Sequence, residues 1–600
     1  MDQGKLSPLA YIDGGDLPNT RQSIFAHIED GLLKNPHGKA IICMHQKMDY
    51  LTGMVDFDDA ASPPQSSPSS CLTLSYTQLH QAASKLGAGL LARKVCPGST
   101  LLCLIPNTIE YPLLVWVCAL LRLTIAAVDP AVLEDEDQFS AYLKLVKPDV
   151  VVLSGTHNAQ IADSAIAKQP ELWECLRVQT HDVEDAAFPG WTSFRSLVKM
   201  GALLPPVLPD RTEDMEGQQN YQDEDVDANL ICSILFTSGT STGKPKGCPL
   251  RVGSMTHILE SQSWLINPDN CARVLQQAHN ARAIAYYHTL QTWRVGGTLV
   301  MSTGQSFLVE HTIDAILNHG ASFIVLSPAM VHALASEMPS HPGLLTGETS
   351  SVRDIQVGGD AVTKEVLVKC AGLFPRARVL INHGMSEGGG FFKWPFFDRS
   401  VIDIPYLGEI CPVGVVAPGA RARVWDAENE VTCPSGQPGE LHISADSLIR
   451  GYLGEVLTSS FYRDNNGALW MNTGDIGMVT EGGLVYILGR SKDAIRCGGK
   501  VIMPATLESC IENFTGAHTC VVAVPRPALG CEPFAVLSTL NGFTEDQIRD
   551  HVVEMLGDAY SLGGVVSLAQ IGLAAYPISA THKILKLEVQ KSVMQLVQAL

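Results

Sequence analysis

Between Thr100 and Val128 the chain runs from a strand-like apolar segment, Thr100 to Ile105, through an apolar stretch of helical length, into a second apolar segment, Ile125 to Val128. That order constrains the fold most. Two short apolar runs joined by a helix form a βαβ unit, whose strands lie parallel and are covered on both faces. A helix is expected just upstream. Ser75 with Gln78 makes a capping box, and Tyr76, Leu79, Ala83, Leu86 and Leu90 recur at helical spacing until Pro97 and Gly98 end the pattern. The alternation continues to about Gly390, whereas Gly408 to Gly454 is punctuated by Gly and Pro between short apolar runs, which predicts a β-rich subdomain. Asp56 to Ser70 and Pro209 to Asp227 read as solvated loops, and no internal repeat is present. At 600 residues the chain exceeds one ordinary core, so several domains are expected.

Composition narrows the function classes. Forty-two basic residues against 62 acidic ones give a net charge of -20, which repels nucleic-acid backbones and anionic membrane surfaces. A nucleotide is still allowed, because it needs only a local patch of cations, amides and metal. The 16 cysteines include no CxxC pair, which argues against a zinc cluster or disulfide framework and for a reducing compartment. The N-terminus lacks the pattern of a signal peptide, and the chain ends Gln-Ala-Leu rather than in a peroxisomal tripeptide, so a cytoplasmic location is expected. Tyr111 to Val128 is interrupted by Arg122 and reads as buried helix and strand; no membrane span is expected.

The richest segment for chemistry follows the apolar run Leu230 to Phe236. Thr237, Ser238, Gly239, Thr240, Ser241, Thr242, Gly243, Lys244, Pro245, Lys246 and Gly247 combine hydroxyls, flexible backbone and two lysines directly after a buried strand. Such a loop suits polyphosphate: its amides approach the oxygens and its lysines supply charge. A solvated Ser/Thr/Gly loop is the plain alternative, but it leaves that density unexplained. A P-loop needs four residues between its glycines and a Ser or Thr after its lysine; Gly239 and Gly243 enclose three, and Pro245 follows Lys244.

The segment resembles the TSGTTGxPKG signature of the adenylate-forming superfamily, which contains acyl-CoA synthetases, peptide-synthetase adenylation domains and firefly luciferase. One extra residue separates Thr237 from Gly243, and Lys246 aligns with the signature lysine. Gly358, Gly359 and Asp360 follow a strand-like Asp354 to Val357, and His383, Gly384, Met385, Ser386 and Glu387 follow a strand-like Arg378 to Asn382. Ligands of open α/β sheets bind at such strand ends. By resemblance these turns hold the nucleotide, His383 and Ser386 stand where the family has Tyr and Thr, and Glu387 with Thr237 lies beside magnesium. Gly384 to Gly388 also spells G-x-S-x-G, the elbow of α/β hydrolases; that elbow opens a helix, and the glycines Gly388, Gly389 and Gly390 are poor helix formers.

Met471 to Asp475 leads into a hairpin turning at Glu481 to Gly483, which brings Asp475 and Arg490 together at its open end. By spacing alone, a ribose site and a structural ion pair are equally good readings; the resemblance favours ribose. The resemblance also makes Lys492 the hinge of a small mobile C-terminal domain. Cys497 to Pro504 is similar to the family's SGGENIYP segment, with Lys500 and Val501 at its Glu and Asn; Gly498 and Gly499 either let a pantetheine arm pass or make a turn. Pro577 to Ile584 is similar to the closing PxTxxGKI, with Ser579 and His582 substituted and Lys583 kept as the catalytic cation.

The implied fold is α/β: a large N-terminal adenylation domain over residues 1–489, built of doubly wound sheets and a distorted β-barrel subdomain, a hinge at 490–493, and an α+β cap over 494–600. The implied reaction is ATP- and Mg2+-dependent activation of a carboxylic acid to acyl-AMP, then transfer to coenzyme A. Loading of a separate carrier protein, as in fungal secondary metabolism, is the alternative thiol acceptor, and Lys246 to Pro249 is similar to fungal ligases. A degenerate nucleotide-binding scaffold is the alternative of another class. Cys271 to Val300 contains no Asp or Glu to partner an ammonium, so a fatty or aromatic acid without an α-amine is expected near His279, Tyr286, Tyr287, Trp293 and Gly358.

Overall fold

The computed structural model describes residues 8–17, 23–51, 71–180, 187–207, 228–237, 245–266, 272–304, 307–338, 351–454, 460–497, 500–526, 530–578 and 584–599. Both segments expected to be solvated loops, Asp56 to Ser70 and Pro209 to Asp227, lie outside that set.

The expected βαβ unit is present. Thr100–Leu104 and Thr124–Ala127 pair in parallel with Leu101 opposite Ile125, and Glu110–Leu121 is the helix between them. That helix is buried on nearly every side, as a sequence apolar all round after Glu110 requires. It packs against the helix Ala283–Arg294, where Trp116 and Trp293 meet edge to face at 5.1 Å. Arg122, the residue that interrupts the apolar run, ends the helix in a left-handed conformation (φ 58°). Upstream, Tyr76–Ala92 is a helix with both capping-box bonds from Ser75 and Gln78. It stops before Pro97: Lys94 turns left-handed (φ 66°) and the Val95 N–H bonds to Leu90 O at 3.1 Å, which closes the last turn.

Two seven-stranded sheets, each mostly parallel, form the body. The first runs Lys246–Arg251, Ile231–Thr237, Thr124–Ala127, Thr100–Leu104, Val150–Ser154, Leu176–Thr180 and Thr192–Ser193 in space. The second runs Arg378–Ile381, Asp354–Val357, Phe323–Leu326, Arg273–Gln276, Thr298–Met301, Lys39–Lys47 and Cys71–Ser75. A curled nine-stranded sheet collects Tyr11–Asp13 and strands between Phe392 and Arg490, which is the β-rich region expected from its Gly and Pro spacing. The hairpin Leu469–Val479 and Leu484–Arg490 is its last element.

A separate five-stranded sheet begins at Ile495–Cys497 and is covered by Pro504–Thr515, Glu545–Leu556 and Lys586–Ala599, with buried clusters of its own around Leu507 and Val536. The short turn Ser491–Asp493 joins the two bodies, and Lys492 in it is exposed. No helix among the described residues is long and apolar enough to cross a membrane.

Candidate functional site

The C-terminal ends of the two parallel sheets are tied to each other through buried amides. Asn107, just after Thr100–Leu104, accepts from the Asn280 backbone N–H at 2.9 Å and donates to Ala278 O at 3.0 Å; Asn280 in turn donates to Pro106 O at 3.1 Å. These bonds hold the loop after Arg273–Gln276 against the first sheet. The strand ends therefore open toward a common space, as ligand sites of open sheets require.

Three parts of the chain meet there. In the first sheet, Thr237 and Lys246 are cross-strand partners at the end of the antiparallel pair Ile231–Thr237 and Lys246–Arg251. The loop connecting them, Ser238 through Lys244, lies outside the described residues, so Ser238, Gly239, Thr240, Ser241, Thr242 and Gly243 have no described positions. Beyond the second sheet, Glu387 accepts from the Tyr452 hydroxyl at 2.7 Å, and its backbone O accepts from the Ile449 N–H at 2.9 Å. Tyr452 belongs to the curled-sheet segment, and the Lys246 ammonium lies 4.9 Å from its ring centroid. The Leu453 N–H, bonded to Gly247 O at 2.8 Å, fixes this segment to the first sheet. A carboxylate, a phenol and an ammonium are thus held together by residues far apart in sequence.

The turns at the ends of Asp354–Val357 and Arg378–Ile381 are neighbours, because those strands pair in parallel with Val357 opposite Ile381. Gly358 is required here: a Cβ would stand 2.7 Å from Asn382 O. Gly359 has φ +88°, and Asp360 is exposed beside it. His383 packs against Phe392 with ring centroids 5.5 Å apart. Gly384–Met385 and Gly388–Gly389 then form a two-stranded hairpin with Ser386 and Glu387 at its tip. A nucleophile elbow leads from strand to helix; this segment returns on itself, and the hydrolase reading of Gly384 to Gly388 fails on that geometry.

Asp475 and Arg490 are directly opposed in their hairpin, with Nε 3.2 Å from Oδ1. Arg490 also donates to Thr473 O at 3.1 Å. The ion pair is present and its guanidinium is partly exposed, which leaves the pair open to a further acceptor or donor. Lys583 lies outside the described residues, but on either side of it Ile578 and Ile584 form a bridge pair. Lys586 is bound to Glu508 at 2.6 Å and feels the charge of Asp360.

Two of the residues expected near the acyl pocket lie deep in the core. Tyr286 is buried against Cys232, Tyr111 and Cys118, inside the core beside the start of Ile231–Thr237 and not at its C-terminal end. Trp293 is likewise fully buried, donating to Ala40 O at 3.1 Å. The neighbour Tyr287, one helical step away, turns to the other side, where its ring lies 3.8 Å from the Cβ position of Gly389. Burial, then Cys248 and Glu387, hold its phenol well above its ordinary pKa, so it stays a neutral donor, and its buried hydroxyl has no hydrogen-bond partner among the described residues. His279 is buried at the junction of the sheets, its pKa lowered by burial with opposing influence from Asp129. Tyr452 was missed by sequence reasoning; the available signal was an aromatic between Gly451 and Gly454 in an otherwise short-stranded region.

A profile of the family described as AMP-binding enzyme matches residues 63–453. An acyl-CoA ligase of Pestalotiopsis microspora is 44% identical over 590 residues, 98% of each chain. The chain belongs to the AMP-binding enzyme family. It is an AMP-forming acid–thiol ligase. 4-Coumarate–CoA ligase 3 of Arabidopsis thaliana is 28% identical over 381 residues, 60% of this chain and 63% of the relative. In fold, this family member is similar to an anthranilate CoA ligase in complex with anthranoyl-AMP (18% identity, TM-score 0.73, 97% of this chain and 99% of the other). ATP-bound MatB from Rhodopseudomonas palustris gives 19% identity and a TM-score of 0.72 over 96% of this chain and 99% of the other.

Proposed function

We propose that the chain converts a carboxylic acid lacking an α-amine into its coenzyme A thioester through acyl-AMP, with the cleft between Thr237, Lys246, Tyr452 and Glu387 as the site of both steps. In the first step a substrate carboxylate oxygen bonds to the α-phosphorus of ATP as the bond to pyrophosphate breaks. In the second, a thiolate sulfur bonds to the acyl carbon and AMP leaves. The observation that carries this reading is the convergence of Lys246 and Glu387, from two different sheets, on Tyr452.

Each residue then has a physical task. Thr237 through Gly243 and Lys246 cradle the phosphates; Gly358, Gly359, Asp360, His383, Gly384 and Ser386 border the base, and Asp475 with Arg490 takes the ribose hydroxyls. Glu387 and the Thr237 hydroxyl are hard oxygen donors, which suits Mg2+, and Tyr452 orients the carboxylate. Bound Mg2+ supplies charge neutralisation on the phosphates. Lys583 supplies a cation between carboxylate and α-phosphate, reducing their repulsion as charge develops. Lys492 is the hinge about which the small domain turns between the two steps. The Tyr287 hydroxyl, with His279 and Gly358, lines the acyl side and meets a polar or aromatic acid better than a bare alkyl chain.

Pyrophosphate release across an acid library tests the first step, with aromatic and fatty acids expected to exceed amino acids. Coenzyme A and a pantetheinylated carrier protein, offered separately, test the second. Free amino acids as the best substrates would sink the substrate class, and transfer only to the carrier would replace coenzyme A. No pyrophosphate release with any acid, despite ATP binding, would leave a scaffold.

A further inference from the structure

Away from the cleft, the small domain meets the large one along a line of titratable side chains. His332 stands on Pro328–Glu337, and Glu365 and Lys369 on Lys364–Leu373; facing them are Glu508 and Glu512 of Pro504–Thr515, and His518. The rings of His332 and His518 stack across the boundary at 5.3 Å and 22°. Lys369 is paired with Glu365, and its ammonium lies 3.0 Å from His332 Nδ1. One ligand atom each of His332, Glu365 and Glu512 falls within 4.8 Å of the others, so carboxylates from the two domains face one another. Glu365 Oε2 is buried without a hydrogen-bond partner.

Such a trio invites a metal ion, but its hydrogen bonding argues against one. An ammonium only donates, so His332 Nδ1 accepts from Lys369, and the neutral ring must carry its proton on Nε2. That nitrogen faces Glu365 Oε2 at 3.8 Å and offers no lone pair to a cation.

We propose that this boundary is a proton-gated latch, in which Glu512 holds a proton while the small domain is docked as here and is repelled by Glu365 and Glu508 once that proton is lost. A buried carboxyl facing Glu365 and beside Glu508 does not ionise without cost. The rest of the neighbourhood does not supply the missing charge. Burial lowers His518, and burial with Lys369 brings His332 down to about 4, so both imidazoles are neutral near pH 7. Lys586 is engaged by Glu508, one turn before Glu512 on the same helix. Glu409 is held by Asn513 at 3.2 Å, and Asp360 adds further negative charge. Tyr576 and Cys520 are kept protonated by burial. Against these, among the described residues Glu512 gains the Thr519 N–H at 2.8 Å, His518 Nε2 at 3.9 Å and the charge of Lys369, which is already paired with Glu365.

Burial first, with Glu508 and Glu365 adding to it against the Thr519 N–H and Lys369, pushes the Glu512 carboxyl up to about 8. A carboxyl whose pKa is higher docked than undocked takes up a proton on docking. The docked arrangement is therefore fully favoured below the ordinary carboxyl value, weakens as pH rises toward about 8, and changes no further above it.

The test uses the full-length protein without acid or nucleotide, so its outcome is independent of the reaction. A donor–acceptor pair is placed by non-natural amino acids at the exposed positions Trp173 and Met555, and the ratio of docked to undocked molecules is read from pH 6 to 9. The wild-type ratio is expected to fall by up to about tenfold per pH unit on the approach to pH 8. In Glu512→Gln the slope is expected to vanish, because the amide keeps the acceptor for Thr519 and cannot ionise. Glu365→Gln, on the other domain, removes one of the neighbouring carboxylates and leaves the burial, so the pH at which the ratio stops falling is expected to move down; this variant serves if the first does not fold. A flat wild-type ratio, a Glu512→Gln variant that keeps the wild-type slope, or a Glu365→Gln profile identical to wild type overturns the latch.

Discussion

Glu387 and Glu512 are both half-buried carboxylates at junctions between parts of the chain, yet their surroundings differ in kind. Around Glu387 the neighbours are donors and a cation: the Tyr452 hydroxyl at 2.7 Å, with Lys246 over the same ring, and a backbone bond from Ile449 that fixes the strand end. Around Glu512 the neighbours include two further carboxylates, and the partners across the boundary belong to the body on the other side of the turn Ser491–Asp493. A carboxylate oriented by a phenol that also carries a cation over its ring suits a permanent cation site. One that is anionic only when its domain moves away suits a contact that must be released. The first junction favours fixity and the second reversibility, and the difference lies in which charges each carboxylate meets.

The largest effect expected from breaking this contrast is at the fixed junction. Glu387→Gln should lower pyrophosphate release by on the order of 10³-fold, because it removes charge where phosphate charge shifts in the transition state. The ratio of docked to undocked molecules should not change; if it does, the two junctions are not separate devices. Lys583→Ala should lower the same rate by roughly 10²-fold or more while leaving ATP binding within a few fold, measured by isothermal titration. Lys492→Pro should leave acyl-AMP formation within about threefold and slow thiol transfer at least about tenfold, in single-turnover assays of the two steps. Equal loss in both steps would remove Lys492 as a hinge. Tyr452→Phe keeps the ring over which Lys246 sits and deletes the bond to Glu387, so the Mg2+ needed for half-maximal rate should rise about 10-fold. The smallest effect is a control far from both junctions: Ser75→Ala should cost about 1 kcal/mol in denaturant unfolding through its lost cap, with neither half-reaction altered.

Much of the framework was legible from spacing. The capping box at Ser75, the parallel pair around Glu110–Leu121 and the opposed Asp475 and Arg490 all follow from periodicity within a few dozen residues. Sequence reasoning could not choose between the sides of the helix Ala283–Arg294 and named both Tyr286 and Tyr287, because a helix buried nearly all round has no polar face to give it a direction. It also missed Tyr452, whose partner Glu387 is 65 residues away.

The order of residues by itself determined the local elements, the hydroxyl-rich turn after a buried strand and the family to which they belong, since each depends on neighbours along the chain. Only the tertiary structure decided which aromatic meets Glu387, that Gly384 to Gly388 returns as a hairpin, and that Glu365 faces Glu512 across a domain boundary. Those facts depend on distances between groups remote in sequence, and electrostatic cost is set by distance and burial rather than by position in the chain.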